Sequence, residues 1–106
     1  MNKIIKIFLI ATAAAACGAS MAQARSPEQI AKDAGCFSCH NATEKVVGPS
    51  FKAIAEKYKG DKGAADQLVQ SVRNGSKGNW GRIPMPAHGS VAEADVKAVV
   101  TWILAR

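Results

Sequence analysis

Beyond residue 24 the apolar positions of this chain recur at helical rather than alternating intervals, in segments separated by turns marked with glycine and proline. Ser26 stands as an N-cap before Pro27 and Glu28, and Ile30, Ala31 and Ala34 then share one face until Gly35 releases the chain. Gly48-Pro49-Ser50 opens a second segment with Phe51, Ile54, Ala55 and Tyr58 inward, which Gly60 ends. A third runs from Ala64 to Arg73 around Leu68 and Val72. The last is the clearest: Ser90 and Glu93 have capping-box spacing, and Val96, Val99, Val100, Ile103 and Leu104 follow at helical steps. Val96, Val100 and Ile103 are expected to face the N-terminal helix, with Trp102 as an interhelix packing residue. No strand-rich stretch, repeat or low-complexity tract interrupts this pattern, so the predicted fold is all-α, a single domain of four to five short helices.

The segment before it has a different character. Lys3 and Lys6, the apolar run from Ile4 to Ala16 and the small-residue site Ala22-Gln23-Ala24 together predict a signal peptide over 1–24 and export to the periplasm. The run is shorter than the roughly 20 residues that span a bilayer, so no stable membrane insertion is expected. Cys17 follows three alanines and raises a second possibility, lipidation, although an Ala three residues before it makes a poor lipobox. Cleavage after Ala24 leaves a domain over 25–106 with twelve basic and eight acidic side chains, a formal charge of +4. A domain this small gains only modest stability from its own core and needs a further source, such as a buried cofactor. Lys45, Lys52, Lys57, Lys59, Lys62 and Lys77 form either a solvated surface or a docking patch, and no basic helix interleaved with aromatics points to nucleic acid.

Chemistry concentrates in Cys36-Phe37-Ser38-Cys39-His40. Two thiols and an imidazole at this spacing are what covalent haem attachment requires: Cys36 and Cys39 reach the vinyl groups of one porphyrin, and His40 ligates its iron. A thioredoxin-like dithiol would need a βαβ setting, and a structural zinc site would need more ligands than His88 and the acids readily supply. Between the third and last helices, Asn74 to Pro86 carries glycines and prolines that forbid a regular helix. There Pro84 and Pro86 flank Met85, the one methionine left after cleavage, in a backbone suited to presenting a thioether. Met85 is the best candidate for a sixth iron ligand and His88 is its rival.

Taken in order, Cys36 to His40, Val47-Gly48-Pro49-Ser50-Phe51-Lys52, Asn74-Gly75-Ser76, Trp80-Gly81, Ile83-Pro84-Met85-Pro86 and Trp102-Ile103-Leu104 give the chain its resemblance to a known family. It resembles the class I c-type cytochromes, within them the short bacterial cytochrome c-551 (cytochrome c8) type, over essentially all of 25–106. The resemblance implies one haem c wrapped by four or so helices, with its edge exposed near the thioethers. It also implies that the Pro49 carbonyl accepts the Nδ1 proton of His40, and that the Trp80 indole donates to a haem propionate, with plain packing as the alternative for Trp80. His88 stands where many relatives place Asn or Gln near the Met sulfur, and Ser71 where some have a basic residue near a propionate.

The function expected on this basis is that of a monomeric periplasmic one-electron carrier, not an enzyme, docking transiently at its haem edge between respiratory partners such as a cytochrome complex and a terminal oxidase or nitrite reductase. A haem sensor or catalyst with a labile distal ligand, a thiol oxidoreductase, and an electron-transfer subunit of a larger dehydrogenase are the alternatives.

Overall fold

The computed structural model describes Thr12 and residues 25–106; the expected signal segment, its Ala22-Gln23-Ala24 site and Cys17 lie outside the described residues. The described chain holds four α-helices, α1 (Pro27–Asp33), α2 (Phe51–Lys57), α3 (Ala64–Asn74) and α4 (Glu93–Leu104), with a 3-10 turn over Cys36–Ser38 between α1 and α2. Among the described residues none of these is long and apolar enough to cross a membrane.

The starts of α1 and α2 have local causes. The Ser26 hydroxyl accepts from the Gln29 amide at 3.2 Å and Pro27 occupies the first turn, where its missing N–H costs nothing. Ser50 does the same for α2, accepting from Ala53 at 3.0 Å. Gly35, at φ 81°, turns the chain out of α1 and into the 3-10 turn, a backbone conformation that a side chain would strain. The start of α4 departs from expectation. Its N-cap is Ala92 with no side-chain cap bond, so the Ser90 and Glu93 capping box does not form. Glu93 faces Arg73 at 3.3 Å and Lys97 at 3.5 Å instead, trading a local cap for a tie to the end of α3.

Helix α4 is the element the others share, packing on α3, α1 and α2. Its buried residues divide between two clusters. Val99 and Ile103 join Ile30 and Ala31 of α1, Phe51, Ile54 and Tyr58 of the α2 region, and Ala64. Val96 and Val100 join Val69 of α3, with Leu68 and Val72 packed against them. The expectation that Val96, Val100 and Ile103 all face α1 is therefore corrected: a 3.6-residue period sets these valines on two adjoining stripes, and the α3 stripe takes two of the three. Trp102 packs between helices as expected, its ring 5.5 Å from that of Phe51. Arg25 spans the ends of α1 and α4, pairing with Asp33 at 2.8 Å and Asp95 at 3.0 Å. Its hydrogen bond, followed by that of Gln29, holds the Asp33 carboxyl below its ordinary range. A depressed carboxyl stabilises the fold above its unfolded pKa, and that contribution fades as the pH falls through the folded value.

Phe51 is 1% exposed and is the residue on which α2, α4 and the segment before α2 converge. Phe51→Ala is expected to cost about 3–5 kcal/mol, measured as the loss in unfolding free energy by guanidinium titration of the purified protein.

Candidate functional site

The 3-10 turn brings Cys36, Cys39 and His40 to one end of α1, closed by amide bonds from Cys39 and His40 to the Cys36 carbonyl at 3.2 and 2.9 Å. Both thiols are free and half-buried. Burial pushes the Cys36 thiol above its ordinary range. A redox dithiol sits at a strand-to-helix junction of a βαβ unit, whereas these two cysteines lie on a 3-10 turn between helices, a setting that does not match the thiol oxidoreductase reading.

His40 is held from two sides. Its Nδ1 lies 2.7 Å from the Pro49 carbonyl oxygen, which can only accept, so Nδ1 carries the proton and Nε2 keeps the lone pair that a metal needs. Its ring also stacks on Phe51, with centroids 5.5 Å apart and planes 21° from parallel. The loop between them is fixed by the Gly48 amide on Cys39 O at 2.8 Å and the Phe51 amide on Asn41 O at 2.9 Å. Gly48 is where backbone and imidazole come closest: a Cβ there would sit 2.8 Å from His40 Cε1.

His40 opens onto a mostly apolar cavity that is partly open to solvent. Ile54, Tyr58, Leu68, Val72, Val100 and Ile103 form its apolar lining, and Cys39, Pro49, Trp80, Ile83 and Met85 also line it. Natural interiors pack with few voids, so a cavity lined this way is a site for a mostly apolar group. The lining fits a haem: the Cys39 thiol at one edge with Cys36 in the adjoining turn, an imidazole lone pair, a thioether, and apolar helix faces. It does not fit bare zinc, because among the described residues no three His, Cys, Asp or Glu side chains are grouped to hold a metal ion.

Met85 reaches the cavity on a clamped backbone. Its carbonyl accepts from the Ser76 amide at 3.0 Å and its amide donates to the Ser76 carbonyl at 2.7 Å, a single antiparallel bridge that pins the Pro84-Met85-Pro86 turn. Gly75 makes this possible, since at φ 82° a Cβ would sit 2.9 Å from the Met85 carbonyl oxygen. His88, the rival ligand, is not part of the lining. Its amide donates to the Val72 carbonyl at 2.8 Å and its Nδ1 lies 3.0 Å from the Pro86 carbonyl, so it contacts the methionine loop from behind. Ser71 lines the cavity, but its hydroxyl donates to the Gln67 carbonyl at 3.1 Å.

Comparison with known proteins decides what this cleft belongs to. The family "Cytochrome C oxidase, cbb3-type, subunit III" matches residues 22–103. Cytochrome c-551 of Allochromatium vinosum is 49% identical over 75 residues, covering 71% of this chain and 80% of that protein. Cytochrome c-551 of Azotobacter vinelandii is 46% identical over 77 residues, covering 73% and 93%. The crystal structure of Nitrosomonas europaea cytochrome c552 superposes with a TM-score of 0.72 at 45% identity, covering 74% of this chain and 96% of that one. The chain belongs to the class I cytochromes c. Within them it is of the c-551/c-552 group, whose cofactor is covalent haem c and whose members carry electrons and are not enzymes.

Several elements of the cytochrome's cleft carry no motif. Ile54, Tyr58, Leu68 and Val72 read as core from their helical spacing, yet they also line the cavity. The stacking of Phe51 on His40 and the Ser76–Met85 bridge join residues 11 and 9 positions apart, beyond the reach of local pattern. Gly48 is the most exacting of these positions. Gly48→Ala is expected to destabilise the holocytochrome by about 1–3 kcal/mol by forcing the His40 ring to shift, read as a lower denaturation midpoint together with a displaced Soret band.

Proposed function

We propose that His40 Nε2 and Met85 Sδ are the axial ligands of a single haem, that Cys36 and Cys39 bind it through thioethers, and that the cytochrome is a periplasmic carrier cleaved after Ala24. The observation that carries this reading is the pairing of an imidazole whose Nδ1 is committed to Pro49 with a clamped thioether on the same cavity. The haem supplies reversible one-electron exchange between Fe(III) and Fe(II). His40 and Met85 fill both axial positions from within the chain, which leaves no vacancy for oxygen, peroxide or a gas and disfavours the sensor and catalytic readings. Pro49 orients His40 and raises its basicity. Trp80, at the cavity wall, donates its indole N–H to a propionate.

Docking follows from the rim. Val46, Val47 and Ile83 are 57%, 45% and 67% exposed, and Val47 and Ile83 also line the cavity, so its mouth is apolar. Lys45, Lys77 and Arg82 surround these residues in sequence. A small apolar contact within a basic setting suits brief encounters with acidic-surfaced redox partners, steered by charge and slowed by salt. A second reading, a subunit dedicated to one oxidase or dehydrogenase, draws on the name of the matching family. Matches that span 80–93% of proteins named simply cytochrome c-551 favour the carrier.

The test is the visible spectrum of the protein exported to the periplasm, with its intact mass. The expected mass is that of residues 25–106 plus one haem, and the expected reduced spectrum has sharp α and β bands. The ferric protein is expected to show the weak charge-transfer band at the red edge of the visible that reports sulfur on iron, and Met85→Ala to abolish it. A reduced protein that binds CO rapidly without mutation would overturn the ligand assignment, and stoichiometric co-purification with an oxidase would favour the subunit reading.

A further inference from the structure

Lys57, in the last turn of α2, reaches across to a loop 22 residues away. Its Nζ donates to the Asn79 carbonyl at 3.1 Å and lies 4.4 Å from the centroid of the Trp80 ring. Asn79 in turn donates from its side chain to the Ser76 hydroxyl at 2.9 Å, and Ser76 is the residue that pairs with Met85. One cation thus joins the end of α2 to the loop that carries both Trp80 and the methionine clamp. Of the other polar groups on the wall, the Ser71 hydroxyl is committed to Gln67, while Tyr58 and Lys77 also line the cavity.

We propose that Lys57 is a positioning residue for the carboxylate edge of the haem: it holds Trp80 against the cavity wall and adds positive charge beside that edge. The inference rests on the reading of Trp80 as a propionate donor. Two effects of the cation act together. An ammonium over an indole face draws electron density from the ring, which makes Nε1–H a stronger donor toward a carboxylate. A positive charge close to the haem also favours the ferrous state, in which the iron carries one positive charge fewer. The role requires a cation of this reach, so arginine should replace lysine here and a neutral side chain of equal length should not.

The experiment compares the holocytochrome with K57M, K57R and W80F. In the diamagnetic ferrous protein, hydrogen exchange of the two indole N–H groups is followed by NMR. Trp102 is an internal control, since its own cation is Arg106, 4.6 Å away. K57M is expected to speed exchange at Trp80 about 2- to 5-fold, the equivalent of an exposed cation–π contact, to leave Trp102 unchanged, and to lower the midpoint potential at low salt. K57R restores both values. If W80F shifts the potential while K57M moves neither indole exchange nor potential, the role of Lys57 is overturned and that of Trp80 stands. If W80F leaves the potential unmoved, the propionate reading falls and this proposal with it.

Discussion

The hydrogen bond between His40 Nδ1 and the Pro49 carbonyl, 2.7 Å long, is the contact from which the rest of the site is built outward. It fixes which ring nitrogen is free, and it ties the attachment turn to the residue that precedes the N-cap of α2. A proline carbonyl suits this role because the fixed φ of the ring limits where the oxygen points. The bond can form only if the backbone passes close to the imidazole, and Gly48 permits that approach. Phe51 then supports the other face of the ring while anchoring α2 in the core. One hydrogen bond therefore couples the proposed iron ligand to the packing of two helices, and a disturbance of either reaches the other.

The second constraint is the cavity. The two core clusters meet on α4, and several of their apolar side chains, Ile54, Tyr58, Val100 and Ile103 among them, also line the cavity. Holding such a surface against water costs about 25 cal/mol for each Å² left exposed, which a chain of this size has little reserve to offset. The fold and its cofactor are thus thermodynamically linked, and stability is a property of the holoprotein.

How much of this was legible beforehand depends on the range of each interaction. Ser26, Pro27, Gly35, Ser50 and Gly60 mark helix ends through bonds within a few residues, and the helices begin and end close to them. Cys36, Cys39 and His40 form a unit so short that its chemistry can be read without a fold. The capping box at Ser90 failed because Glu93 found Arg73, 20 residues away, a partner that no local pattern contains. The facing of Val96 and Val100 failed for a related reason, since periodicity sets the spacing of a stripe but not which neighbour it meets. His88 was left between two readings and meets Pro86, on the side of the methionine loop away from the cavity lining. Lys57 and the cavity role of Tyr58 carried no signal, because a lysine at a helix end and an aromatic on a helix face have common structural explanations.

Electron transfer sets a further requirement, that little should move when the charge on the iron changes. The cleft meets it by fixing the backbone on both sides of the cavity rather than by burying polar side chains. His40 is held by a carbonyl and a stacked ring, and Met85 by a two-way bridge to Ser76 between prolines that already limit its backbone. The partners in these contacts are backbone groups and an aromatic ring, none of them charged. With neutral groups on both proposed ligands, the charges at the rim, the propionates included, become the proposed lever on the potential while the interior sets the geometry. That division of labour separates the partner-facing surface from the ligand set, and substitutions at the rim can alter encounter and potential without loosening the bonds that hold the iron.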